Sequence, residues 1–197
     1  RGLGDVYKRQ PDSGSDLASV KTKATKTATG WNLEGRKIWS TGAHLCNYMI
    51  VLARTGPPSE KNRHEGLSQF LVDLSLPNVN IKGIPDMTGQ RHFNETLFDN
   101  VQLSEDALLG EEGKGWSQVV GELALERSGP ERFLSHFTLL DRFINEFRNK
   151  LLKSGSNIIG KLIAELQTLR RMSFSIASML QNGESPETQA AFVKELG

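Results

Sequence analysis

"VQLSEDALLGEEGKGWSQVV", residues 101–120, is where the apolar spacing of the chain changes. Before it the apolar runs are short and strand-like. From Gly115 onward Val119, Val120 and Leu123 mark one apolar face at helical steps. Working back from this stretch, Glu95 to Leu103 alternates, and Val79 to Ile84, Gly66 to Leu74 and the continuous apolar run Tyr48 to Ala53 read as further strands. "RTGPPSEKNRHEG", residues 54–66, has the Gly, Pro and charge content of an exposed loop. Thr and Val punctuate Leu17 to Thr29, Gly30 marks a turn, and Trp31 to Trp39 is expected to fold back as a hairpin through Glu34-Gly35. Many short strands with turn signals between them predict an antiparallel β-barrel or sandwich.

Working forward, Phe133, Phe137, Leu140, Ile144, Phe147 and Leu151 recur at steps of three and four, an amphipathic helix that Gly129-Pro130 should bend at its start. A second helix is expected from about Asn157 to Gln181. "SPET" then offers Ser185 as an N-cap with Pro186 at the first helical position. The expected class is α+β by segregated domains. Residues 1–10, of mixed charge and no usable period, read as a non-native or disordered leader; 11–114 form a middle β-domain; 115–197 form an incomplete C-terminal helical domain, part of an antiparallel bundle.

The chain-wide balance limits the function classes. Across 197 residues, 24 Lys and Arg face 23 Asp and Glu, a formal charge of +1 that gives no bulk attraction to nucleic acid or an anionic membrane. Neither a secretory signal nor a bilayer-spanning apolar run is visible. The single cysteine, Cys46, has no internal disulfide partner and reads as a small core residue. A protein of a reducing compartment, the cytoplasm or the mitochondrial matrix, is the expectation. His44, His64, His92 and His136 fall in different elements, so no metal-ligand spacing is present, nor is a phosphate loop, a dinucleotide Gly fingerprint or a nucleophile elbow. Generic motifs leave the function open.

Three segments taken together do not. "PDSGSDLASVKTKAT" from Pro11, "WNLEGRKIWSTGAHLCNYMIVLAR" from Trp31 and "GQRHFNETLFDNVQLSEDALLGEEGKGW" from Gly89 resemble, in order and spacing, the acyl-CoA dehydrogenase family. The resemblance covers roughly residues 11 to 197 and implies a flavoenzyme with FAD as cofactor. It implies that Trp39 packs along the flavin ring, that Thr41 donates toward its N5 edge, and that Ser40 offers its backbone. Ser15, in the Gly-Ser-Asp turn, would lie near both FAD and acyl-CoA. Gln10 replaces the Glu that usually precedes Pro11. Donors at this edge suit a ring that gains negative charge on reduction.

The resemblance also implies a catalytic base. Glu126 falls where isovaleryl- and long-chain-like members carry theirs, and "LALERSGPERF" surrounds it with apolar residues whose cover would raise its pKa. A simple pairing of Glu126 with Arg127 or with a neighbouring helix is the alternative. Arg127 matches a family arginine near the substrate, and an exposed helix arginine is the competing account. Arg91, His92 and Asn94 either line the cleft or serve structure. "KSGSNIIGKL" offers Ser154 and Ser156 where the family often has an arginine reaching a neighbouring subunit's cofactor. The expected activity is oxidation of an acyl-CoA to the trans-2-enoyl-CoA, with electrons passed to an electron-transferring flavoprotein by a homo-oligomer or mixed oligomer. A non-catalytic subunit that helps bind flavin or acyl-CoA, and an acyl-CoA oxidase-like enzyme, are the alternatives.

Overall fold

The computed structural model describes residues 16–59, 62–147 and 153–197, so the 1–10 leader and Ser15 lie outside the described residues. Chain contacts divide the protein into two compact units, one up to Gln118 and one from Val119 to Gly197.

The first unit is one sheet of seven strands. A short 3-10 helix at Leu17–Ser19 leads into β1 (Lys23–Thr27), which turns through Ala28-Thr29 into the long β2 (Gly30–Thr41). A second 3-10 turn at Ala43–Leu45 precedes β3 (Tyr48–Arg54), followed by β4 (Leu67–Asp73), β5 (Val79–Ile84), β6 (Phe93–Ser104) and the two-residue β7 (Leu108–Leu109). The spatial order is β5-β6-β2-β1-β3-β4-β7. Neighbours run antiparallel except β1 and β3, which pair in parallel at Lys23 and Arg54.

Alternation of apolar residues gives the sheet one buried face. Trp31, Leu33, Met49, Val51, Phe70, Val72, Phe98 and Val101 form its core. Trp31 on β2 meets Phe70 on β4 edge to face, with centroids 5.2 Å apart, although β1 and β3 lie between those strands in the sheet. The sheet therefore curls around its own core. It does not close into a barrel: among the described residues the edge strands β5 and β7 do not pair with each other. The expected segregation of strands from helices holds, in the form of this curled open sheet and the helices that follow it.

The hairpin expected at Glu34-Gly35 is not made. β2 runs straight through that point, and Gly35 instead lies where the β2–β6 register shifts. Its φ is +137°, and a Cβ there would sit 2.7 Å from Thr22 Cα. Glycine is required by the approach of the chain just before β1, not by a reversal.

In the second part of the chain α1 (Gly115–Ser128) ends before Gly129-Pro130, as the proline demands. A single turn, α2 (Glu131–Leu134), and α3 (Phe137–Phe147) follow. The long α4 (Lys153–Gln181) and α5 (Glu187–Leu196) complete the chain. Pro186, not Ser185, occupies the α5 N-cap position, and no side chain caps it. Phe133, Leu169, Ile176, Ala190 and Val193 make a small core in the second unit. Phe137 and Phe143 on α3 remain exposed beside an open apolar groove of about 510 Å³ that Leu162, Leu166 and Leu169 of α4 also line. No helix among the described residues is long and apolar enough to cross a membrane.

Gly35 and Gly42 separate two costs of adding a side chain. Gly42 has φ +63° with nothing within 4 Å of a Cβ, whereas Gly35 also faces the Thr22 backbone. Gly42→Ala should cost about 1 kcal/mol. Gly35→Ala should cost about 2–4 kcal/mol, since a backbone must also move. Urea unfolding of the two variants against the parent chain measures both.

Candidate functional site

The end of β2 carries the group of residues picked out by their sequence. Lys37 pairs with Thr96 and Ser40 with Asn94, so β2 advances three residues where β6 advances two. The extra residue makes a bulge. Had the alternation continued from Lys37, Trp39 would have pointed into the core. Instead Ser40 turns inward, fully buried, and Trp39 is thrown outward, 47% exposed. Trp39 sits at φ +61°, in the left-handed region. A second bulge lies nearby, where Leu33 pairs with Val101 and Gly35 with Phe98, and there the left-handed residue is Asn100 at φ +55°. Asparagine adopts this conformation readily; a tryptophan does so only when its surroundings impose it.

Hydrogen bonds fix the strand end around the exposed indole. Asn94, fully buried, donates from Nδ2 to the Ser40 carbonyl at 3.0 Å, and its Oδ1 lies 3.1 Å from His44 Nδ1. The Gly42 amide donates to the His92 carbonyl at 2.8 Å. Phe93, the register partner of Thr41, meets the Trp39 ring edge to face with centroids 5.9 Å apart. The result is an exposed aromatic corner with the Thr41 side chain on the same strand end, braced from beneath by Asn94. Asn94 thus serves the strand end from the buried side, while Arg91 and His92 are exposed.

Lys37 is the residue that sequence reasoning missed. Its side chain is wholly buried, and Nζ donates to the Leu52 carbonyl on β3 at 2.6 Å. Burial pulls its pKa from the usual lysine range down to about 7. The one available signal was its spacing from Leu33, which puts both on alternate positions of β2, but a lysine in a strand reads as solvent-facing.

Asp16, the last residue of the Gly-Ser-Asp sequence, precedes the 3-10 helix at Leu17–Ser19 and is held by two side chains. Asp16 accepts from Ser19 Oγ at 2.6 Å and from Arg63 Nη2 at 2.6 and 2.7 Å. The Ser19 bond first, and the Arg63 guanidinium next, hold its carboxyl below the usual range. Arg54 donates to the carbonyls of Ala18, at 2.7 Å, and Glu65, at 2.9 Å. His64 in the same loop stacks on Trp116 with centroids 3.8 Å apart, and Ser68 Oγ accepts from the Gly113 amide at 2.8 Å. The loop after β3 is thereby fastened both to the Asp16 turn and to the start of α1.

Glu126 and Arg127 lie on the part of α1 that belongs to the second unit. Glu126 is exposed, and Leu125 beside it is 62% exposed, so the apolar cover expected around this carboxylate is not found. Arg127 is half-buried. Cys46 is partly buried against the sheet core. Among the described residues no cluster of His, Cys, Asp and Glu could hold a metal ion.

Comparison with known proteins bears on this strand end directly. The acyl-CoA dehydrogenase middle domain matches residues 10–101, a span that contains the whole bulge and its β6 partners. Acyl-CoA dehydrogenase FadE34 of Mycobacterium tuberculosis is 31% identical over 95% of this chain and 26% of its own length. The chain belongs to the acyl-CoA dehydrogenase family. Acyl-CoA dehydrogenase IpdE1 of the same organism is 42% identical over 60% of this chain and 30% of its own length. The chain therefore spans less than a third of either relative. Among solved structures, the FAD complex of PigA shares the fold, with a TM-score of 0.81 at 23% identity over 98% of this chain and 53% of that one. In this chain the bulge residues Trp39 to Thr41 and the buried Lys37 fall within one motif, Gly35-x-Lys37-x-Trp39-x-Thr41.

The buried lysine predicts a pH dependence. Between about pH 7 and the unfolded value of 10.5 the unfolded chain holds a proton that the folded chain has lost, so stability rises with pH across that window. Below pH 7 the folded lysine is charged as well and the full cost of burying the ammonium is present. Lys37→Met should remove this slope, up to roughly 1.4 kcal/mol per pH unit. Urea titrations of both proteins at several pH values across the window read the difference.

Proposed function

We propose that this chain forms one wall of the flavin site of an FAD-dependent acyl-CoA dehydrogenase that converts an acyl-CoA into its trans-2-enoyl-CoA. The observation that carries the reading is the Trp39 bulge: a tryptophan held in a left-handed backbone and turned away from a core that could have taken it. Strain of this kind is kept where a side chain must be presented.

The strand end fits a planar, electron-accepting ring. Trp39 offers an exposed aromatic surface steadied by Phe93. Thr41 carries a hydroxyl at the same edge, and the inward turn of Ser40 keeps its backbone fixed through Asn94. FAD, the cofactor bound in the structurally similar PigA, would supply the acceptor for the hydride that leaves the substrate β-carbon. Trp39 would cover the ring and exclude water from it. Thr41 would donate a hydrogen bond where negative charge gathers on reduction. Ser15 would contact cofactor and thioester. Glu126 would take the α-proton, and Arg127 would face the acyl-CoA. Electron-transferring flavoprotein would collect the electrons from an oligomeric enzyme.

A second reading, a non-catalytic subunit that contributes this wall to a mixed oligomer, is favoured by one observation: Glu126 is exposed. Two substitutions separate the readings. Thr41→Val should weaken FAD binding about tenfold, the worth of one hydrogen bond to a charged group, read from quenching of flavin fluorescence. Unchanged affinity would remove Thr41 from the site. In protein that carries bound flavin, anaerobic acyl-CoA should bleach the visible band, and Glu126→Gln should slow that bleaching by about 10²-fold or more. Flavin that binds but never bleaches would decide for the non-catalytic subunit.

A further inference from the structure

β1 begins at Lys23, which pairs with Glu34 on one side and Arg54 on the other. Past that point β2 continues to Thr41, and β3 reaches back to Tyr48, without β1 between them. Two strands that lose a shared neighbour leave backbone groups unpaired on the facing edges. Lys37 fills this gap. Its Nζ reaches across from β2 and donates to the Leu52 carbonyl of β3, taking the place of the absent strand.

The cross-link falls at a decisive position. Lys37 is the last β2 residue in register before the bulge and Ser40 the first after it. Trp39 is therefore held between two anchors, Lys37 tied to β3 and Ser40 tied to Asn94. Among the described residues the buried Ser40 Oγ and Thr96 Oγ1 have no hydrogen-bond partner. Both the ammonium and the neutral amine carry N–H donors, so the link to Leu52 persists on either side of its titration.

We propose that Lys37 is a positioning residue whose bond to the Leu52 carbonyl sets the bulge that turns Trp39 outward and lines up Thr41. Its consequence for cofactor binding rests on the flavin-wall reading; the positioning itself does not.

Hydrogen exchange of single amides tests it in two ways. In Lys37→Met, close in length but without a donor, the amides of Trp39 to Gly42 should exchange about tenfold faster while those of Leu33 and Val101 keep their protection. Unchanged exchange at Trp39 to Gly42 overturns the proposal. So does equal acceleration at Leu33 and Val101, which would mark Lys37 as a general stabiliser. Should the variant not fold, native-state exchange of the unsubstituted chain in low urea decides. The amides of Trp39 to Thr41 should open together with Val51 and Ala53 of β3, and opening independent of β3 overturns the link. FAD affinity is read beside these: Lys37→Met should lower it about tenfold, the equivalent of losing one well-made contact. If the unsubstituted protein does not bind FAD, the flavin-wall reading fails while the exchange result still judges Lys37.

Discussion

One unmatched residue between β2 and β6 organises the first unit. Sheets tolerate such a mismatch by bending and by turning the following side chains to the opposite face. Here the turn moves a hydroxyl, Ser40, into the core and an indole, Trp39, out of it. On hydrophobic grounds alone the exchange is unfavourable, since it buries a polar group and exposes a large apolar one. It persists because the register on both sides is fixed independently, by the Lys37–Thr96 and Ser40–Asn94 pairs.

The two bulges on the same strand pair show how differently the same geometry can be supported. At Asn100 the sequence cooperates: a short polar side chain suits the left-handed backbone, and Asn100 Oδ1 accepts from Asn32 across the strand at 3.1 Å. At Trp39 the sequence resists, and the neighbourhood has to impose the conformation. Asn94 beneath Ser40, Phe93 beside the Trp39 ring and Lys37, tied from β2 to β3, converge on this short stretch. Local preference and tertiary structure disagree there, which is characteristic of places kept for contact with something else.

Much of the fold was legible. The short apolar runs of β3 to β5, the alternation in β6 and the change of spacing near Gly115 placed strands and helices to within a few residues, because burial writes itself into the pattern. Glu34-Gly35 misled because glycine in a strand marks a turn or a bulge equally well, and the approach of Thr22 that decides between them is set by distant residues. The site was legible as a motif but not as a conformation: nothing about tryptophan announces a left-handed backbone. Lys37 was hidden for the opposite reason, since a charged residue in a strand is ordinarily solvated and its acceptor lies 15 residues away. The apolar letters around Glu126 suggested cover, yet Leu125 itself faces solvent.

The fastening of the Asp16 turn has a consequence for the order of assembly. Its contacts reach across 36 residues from Arg54 to Ala18 and 47 from Arg63 to Asp16. The corner at Trp39 is held by a partner further away still, since Asn94 lies 54 residues from Ser40. Closure over a shorter stretch of chain costs less, so the fastening of Asp16 can precede the setting of that corner. A nascent chain could make the Asp16 contacts once Arg63 has emerged, but could not set the Trp39 corner until Phe93 and Asn94 follow.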